Sequence, residues 1–261
     1  MQAQPQQRKN RLGKLIYKIC HFRSGKLYKA CRRNWARMRG VPLVHFLHIR
    51  KAGGSAIKSA LLPHLKTGSC LIECHPHRIT IQHIPVGEKV FFVVRDPIRR
   101  YLSGFTSRMN QGAPAHYVPW TRDEEVAFER FPTPNQLALA LASKNPDLQR
   151  EALSAMNSIS HVRSSYWDWF IDESTLRCRA GDVLMVLRQR QLNKDFEKAV
   201  RLLDLPDSVE LSDDPTTANR SPDSADQRLD AEAEAALRIY YDKDYAFIEI
   251  CRELFDIEGD V

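Results

Sequence analysis

No stretch of this 261-residue sequence is apolar enough over ~20 residues to span a bilayer as a helix. The best N-terminal run, Leu15-Ile16-Tyr17, is cut by Lys14 and Lys18. A secretory leader, with its apolar core and small-residue cleavage site, is also missing. These absences predict a cytoplasmic chain. Cysteine is sparse: Cys20, Cys31, Cys70, Cys74, Cys178 and Cys251 form no C-x-x-C pair. In a chain of this length they make no disulfide scaffold, and they are read as reduced thiols. No glycine falls in the pattern G-x-x-x-x-G-K-[ST], which excludes the standard nucleoside-triphosphate loop. Internal repeats and long low-complexity tracts are absent as well.

Acidic residues are missing from one region only. Met1 to Gly40 carries twelve Lys or Arg and no Asp or Glu, leaving 27 basic and 32 acidic residues in the rest, a net of −5. The pI of 9.1 therefore describes a head rather than a body. A content of 43% hydrophobic and 27% charged residues excludes disorder of the whole chain. The expected division is a basic N-terminal segment, 1–40, and one globular domain, 41–261. Within the head, Leu12, Leu15, Ile16 and Ile19 recur at helical spacing, so Arg11 to Arg39 is expected to form one or two basic helices. Two readings stay open for residues 11–39. One is an interfacial helix resting on anionic lipid at the inner face of a membrane. The other is a solvated basic arm packed on the body. Nucleic acid is a poorer fit, because the segment carries no recognition module.

The body opens with Leu43-Val44-His45-Phe46-Leu47-His48-Ile49, an apolar run bounded by Pro42 and Arg50-Lys51, which predicts a buried strand. Gly53-Gly54-Ser55 then lead into a helix over Ala56 to Leu62. A second run, Lys89 to Val94, is β-branched and aromatic without alternation, as in a parallel strand covered on both faces. Asp96 and Pro97 suit the N-cap and first turn of a helix from Ile98 to Met109. Val183 to Leu187 is a third strand, Asn193 to Leu203 a helix, and Asp223 to Phe255 is mostly helical, with Ser208 to Ser224 a loop. Strands alternating with helices predict an α/β fold: a P-loop-like parallel sheet flanked by helices, with the basic helical extension in front.

Two segments carry the chemistry. In Arg50-Lys51-Ala52-Gly53-Gly54-Ser55 a strand delivers a lysine and two glycines to a helix start. Glycines let the backbone approach a ligand, and the N–H groups of a helix start favour an anion. By itself such a loop is equally a tight strand–helix turn with an exposed lysine. The second segment runs from Val94 to Phe105. Arg95 closes a strand, and Ser103 follows two helical turns later. A guanidinium at a sheet edge grips a phosphate through two parallel bonds, and ligands of open α/β sheets lie beyond the carboxyl ends of the strands.

Together these segments resemble the PAPS-dependent sulfotransferases, which transfer a sulfuryl group from 3'-phosphoadenosine-5'-phosphosulfate. The Lys51–Ser55 loop looks like the family's 5'-phosphosulfate loop, and Arg95–Phe105 looks like its 3'-phosphate motif. Their order and 44-residue interval also fit. The resemblance is nearest to carbohydrate sulfotransferases of the heparan 2-O type, whose loop also has His-Ile before the lysine. Looser likenesses are Val183 to Phe196 with Leu192 and Asp195, the loop Asn219-Arg220-Ser221, and a C-terminal helix with Tyr241, Asp244 and Tyr245. The chain departs from the pattern at Arg50, Ala52, Ser55 and Ala56; Ser55 keeps the hydroxyl, and Ala56 removes one contact.

What the resemblance implies is a sulfotransferase fold over about 43–255 and transfer from PAPS to a hydroxyl of a carbohydrate or glycolipid, in a bacterial enzyme. It further implies no required metal. Lys51 is expected at the bridging oxygen, with Arg50, Ala52, Gly53, Gly54, Ser55 and Ala56 around the 5'-phosphate. Arg95, Ser103 and Arg220 are expected at the 3'-phosphate. The acceptor hydroxyl needs a base. His75 lies twenty residues before Arg95 and His77 eighteen. An imidazole is suited to that task at neutral pH, so His75 is preferred, with His77 and Glu73 as alternatives. Cys70, Cys74, His75, His77 and His83 lie close together, but their spacing matches no standard zinc pattern. The aromatic cluster Tyr166, Trp167, Trp169 and Phe170 is better suited to a core than to a sugar platform. A kinase-like phosphotransferase and a non-catalytic binding protein driven by the basic head are the competing readings.

Overall fold

The computed structural model describes residues 30–113, 117–212 and 228–261. Among the described residues a helix over 30–38 (α1) precedes strand β1 (Leu43–Leu47). Helix α2 (Gly54–Leu61), β2 (Leu71–Cys74), β3 (Lys89–Val94) and α3 (Pro97–Met109) follow. A run of helices comes next: α4 (Arg122–Arg130), α5 (Pro134–Leu141), α6 (Pro146–Ser158), α7 (Trp167–Phe170) and α8 (Glu173–Cys178). The chain then returns to the sheet as β4 (Val183–Arg188) and continues into α9 (Leu192–Leu202), α10 (Ala231–Tyr240) and α11 (Asp242–Phe255).

The strands form a four-stranded sheet in the order β2-β1-β3-β4, every pair parallel. An α/β architecture with a parallel sheet flanked by helices is therefore present. β1 and β3 occupy the middle, and their unbroken apolar runs are buried on both faces, as the parallel arrangement demands. Sequence reading did not anticipate β2. It is only four residues long and includes a glutamate and a cysteine, too short and too polar to stand out.

Alternation along β1 divides its side chains between two faces. Leu43 packs with Leu71 and Ala36 of α1, and His45 points the same way. Phe46 and His48 lie on the other face; the two rings stack, with centroids 5.6 Å apart, and both press on Gly54 of α2. The remaining core divides in two. One apolar cluster surrounds the sheet with α2, α7, α9 and α11. A second joins α3 to α4, α5, α6 and α10. Helix α3, which follows β3 through Arg95 and Asp96, is thus built into the helical layer. Among the described residues no helix is long and apolar enough to cross a membrane.

Candidate functional site

Two backbone irregularities shape the loop after β1. Lys51 takes a left-handed conformation (φ 60°), uncommon for a residue with a Cβ, and Gly53 another (φ 92°). Such strain costs of order 1–3 kcal/mol for a non-glycine residue and collects at ligand clamps. Helix α2 then starts without any side-chain cap, so its first N–H groups are left to other partners. Gly54 has a packing reason: a Cβ there would stand 2.4 Å from the His48 ring, which would have to shift.

The second segment meets this loop directly. The Arg95 guanidinium donates from Nη1 to the Lys51 carbonyl at 3.0 Å, across 44 residues of sequence. Its Nε is buried with no hydrogen-bond partner. Burial holds the Arg95 guanidinium below its ordinary range. Lys51 is pushed down to about 8, by burial first and then by Arg95. No carboxylate among the described residues lies within ion-pairing distance of either cation. Elsewhere buried cations are matched: Arg100 meets Asp244 at 2.5 Å and Arg108 meets Glu124 at 2.6 Å. Two adjacent, half-buried cations with no directly paired carboxylate among the described residues are costly unless an anion joins them.

Arg95 is held by its backbone. The Tyr166 hydroxyl donates to the Arg95 carbonyl at 2.5 Å and accepts from its N–H at 2.8 Å. Tyr166 is itself fully buried, stacked on Phe247 at 4.8 Å, with the Arg100 guanidinium 4.4 Å over its ring. Asp244 of α11 accepts from the Tyr166 N–H and the Ser165 hydroxyl, both at 2.7 Å, as well as from Arg100. Asp96 caps α3 by accepting from the Arg99 N–H at 2.8 Å and also accepts from the Tyr245 hydroxyl at 3.0 Å. Ser103, two turns into α3, is buried.

The histidines after β2 part company. His77 donates from Nδ1 to the His48 carbonyl at 2.7 Å, and its ring lies 3.9 Å from the His48 ring. A carbonyl can only accept, so Nδ1 carries the proton and the neutral ring keeps its lone pair at Nε2. Burial, with Arg50, Lys58 and Lys51 nearby, lowers the His77 pKa despite that bond. The Trp169 indole donates to the His77 carbonyl at 2.8 Å and fixes the segment. His75 turns instead to His45, with His75 Nε2 and His45 Nδ1 2.8 Å apart. The other His45 nitrogen donates to Glu88 at 2.7 Å, and Arg37 of α1 grips the same carboxylate at 2.7 and 3.1 Å. Glu73 is buried against Arg32 of α1 at 2.6 Å, with Arg33 at 3.7 Å.

The structure thus brings Lys51 and Arg95 into contact and sets His77 within the field of Lys51, while Ser103 is a buried residue of α3. Glu73 and His75 engage the side covered by α1, and Arg220 lies outside the described residues. Trp169, Tyr166 and Phe170 are core residues. Beside Gly53 and Ala56 a cavity of about 570 Å³ opens toward Gln189, Leu192 and Asn193 at the start of α9, with Leu211 on its wall. That volume suits a small-molecule ligand. Sequence reasoning missed Tyr166 as an anchor, and it missed His48 and His161. His48 is a flag in hindsight, since it stands in the loop motif itself; the other two are reached only through the fold.

No family model matches the chain, and no curated protein matches it significantly.

Proposed function

We propose that this chain is a PAPS-dependent sulfotransferase acting on a hydroxyl of a carbohydrate or glycolipid acceptor. The observation that carries the reading is the pair of half-buried cations, Lys51 and Arg95, with no ion-paired carboxylate among the described residues and joined by the bond from Arg95 Nη1 to the Lys51 carbonyl. A doubly phosphorylated donor supplies the missing negative charge at both. The orphaned Arg95 Nε fits such an anion. The uncapped N-terminus of α2 offers N–H groups to the 5'-phosphate, and the cavity beside Gly53 has room for a nucleoside.

In this reading Lys51 neutralises charge on the departing phosphate oxygen as the S–O bond to the 5'-phosphate breaks. The new S–O bond forms to the acceptor oxygen in line, and the acceptor proton passes to the Nε2 lone pair of His77. The His48 carbonyl favours that tautomer and stabilises the ring once it is charged. His77 is preferred to His75 and Glu73 because it lies within the field of Lys51, whereas His75 is paired with His45 and Glu73 with Arg32 of α1. Location at the cytoplasmic face of a membrane, through residues 11–39, belongs to the same proposal.

Calorimetry with adenosine 3',5'-bisphosphate tests the donor assignment. Binding is expected for the intact chain and lost by at least a hundredfold in Arg95→Ala. Binding of ATP in preference to the bisphosphate would overturn the reading in favour of a phosphotransferase. His77→Ala is expected to keep bisphosphate binding and lose turnover of PAPS; the reverse pattern, with His75→Ala inactive instead, would move the base to His75.

A further inference from the structure

Beside these residues stands one more imidazole. His161 lies in the turn after α6, and its Nδ1 is buried without a hydrogen-bond partner. A buried, unpaired ring nitrogen normally costs about 1–3 kcal/mol and calls for an explanation. The turn itself is firmly built. The buried carboxylate of Glu124 accepts from the Ser160 N–H at 3.2 Å while paired with Arg108. The Tyr241 hydroxyl donates to the Val162 carbonyl at 2.9 Å. Helix α3 approaches so closely that a Cβ on Gly104 would stand 3.0 Å from the His161 carbonyl oxygen. His161 is thus fixed against the residue following Ser103.

Its surroundings are cationic. Burial, together with Lys51, Arg108, Arg50 and His77, pushes its pKa down to about 3, so the ring is neutral. Of these neighbours only Arg108 has a carboxylate partner, Glu124, among the described residues. A neutral imidazole held in a positive field, with a nitrogen unsatisfied, is placed to donate to an anion and not to attract one by charge.

We propose that His161 is a further ligand of the donor's phosphate groups, its ring N–H donating to a phosphate oxygen of the bound nucleotide. The proposal rests on the donor reading above. It accounts for the orphaned nitrogen, for the rigid turn and for the glycine at position 104.

The test is calorimetric titration with adenosine 3',5'-bisphosphate, adenosine 5'-phosphate and adenosine 3'-phosphate. Wild type is compared with His161→Phe, which keeps a ring and removes the donor, and His161→Gln, which restores one. His161→Phe is expected to bind the bisphosphate about tenfold more weakly, the worth of one hydrogen bond to a charged group, and His161→Gln to recover most of it. The monophosphate that loses affinity identifies the end contacted. Should His161→Phe fail to fold, the His161 Cε1–H signal in wild type, assigned by its absence from the His161→Gln spectrum, must shift on adding bisphosphate. Bisphosphate binding within twofold of wild type in folded His161→Phe, or an unmoved signal at saturation, overturns the proposal. Wild type that ignores the bisphosphate altogether sinks the donor reading, a distinct result.

Discussion

Raising the pH from 7 to 9 should discharge the site without disturbing the fold. Lys51, at about 8, is about nine-tenths charged at pH 7 and about one-tenth charged at pH 9. A phosphate monoester, with a second pKa of about 6, is already about nine-tenths dianionic at pH 7, and Arg95 stays charged throughout. Affinity for adenosine 3',5'-bisphosphate should therefore fall roughly tenfold over this interval, about 1.4 kcal/mol. The bound anion raises the Lys51 pKa, so binding at pH 9 must take up close to one proton. Calorimetry in two buffers of different protonation heat reads that proton directly. Lys51→Arg keeps its charge across the range, so its affinity should be flat from pH 7 to 9. A flat wild-type profile with no proton uptake would refute the reasoning, as would an unchanged slope in Lys51→Arg.

The same shift makes a stability prediction. Lys51 in the folded chain lies below the ordinary lysine value of 10.5, so the unfolded chain holds the proton more tightly. Its charged form costs the folded state below pH 8, and stability gains as pH rises from 8 toward 10.5. Lys51→Met should remove that cost and raise the Tm at pH 7 by several degrees, for roughly 1–3 kcal/mol, while abolishing bisphosphate binding. A lowered Tm in differential scanning calorimetry would count against the strained, charge-laden loop. Tyr166→Phe strips two bonds from the Arg95 backbone and should cost about 2–4 kcal/mol, with weaker bisphosphate binding beyond the lost stability. Chemical denaturation and calorimetry on the one variant check both halves.

The sheet was legible where apolar runs were long. β1, β3 and β4 lie within a residue or two of the runs beginning at Leu43, Lys89 and Val183, and Asp96-Pro97 start α3 as their chemistry requires. β2 was not, because register with β1 stabilises it more than its own composition does. The expected C-terminal helix is two helices, α10 and α11, joined at Tyr241. At the site, the spacing of Lys51 and Arg95 marked two residues that the fold sets in contact. Spacing could not tell His75 from His77, since a two-residue offset keeps both on one sequence footing while the backbone turn at Pro76 sends them to different neighbours. Nor could it find His161, whose place follows from the turn after α6 meeting Gly104 of α3 and from nothing local.

Helix α1 changes how the chain's charge should be counted. Arg32 and Arg33 meet Glu73, and Arg37 meets Glu88, so among the described residues three of the four cations over 30–40 are answered from within the protein. Salt weakens the more exposed pairing of Arg37 with Glu88 sooner than the half-buried pairing of Arg32 with Glu73. The helix therefore stays seated on the sheet as ionic strength rises, and the sheet face that carries His45 stays covered.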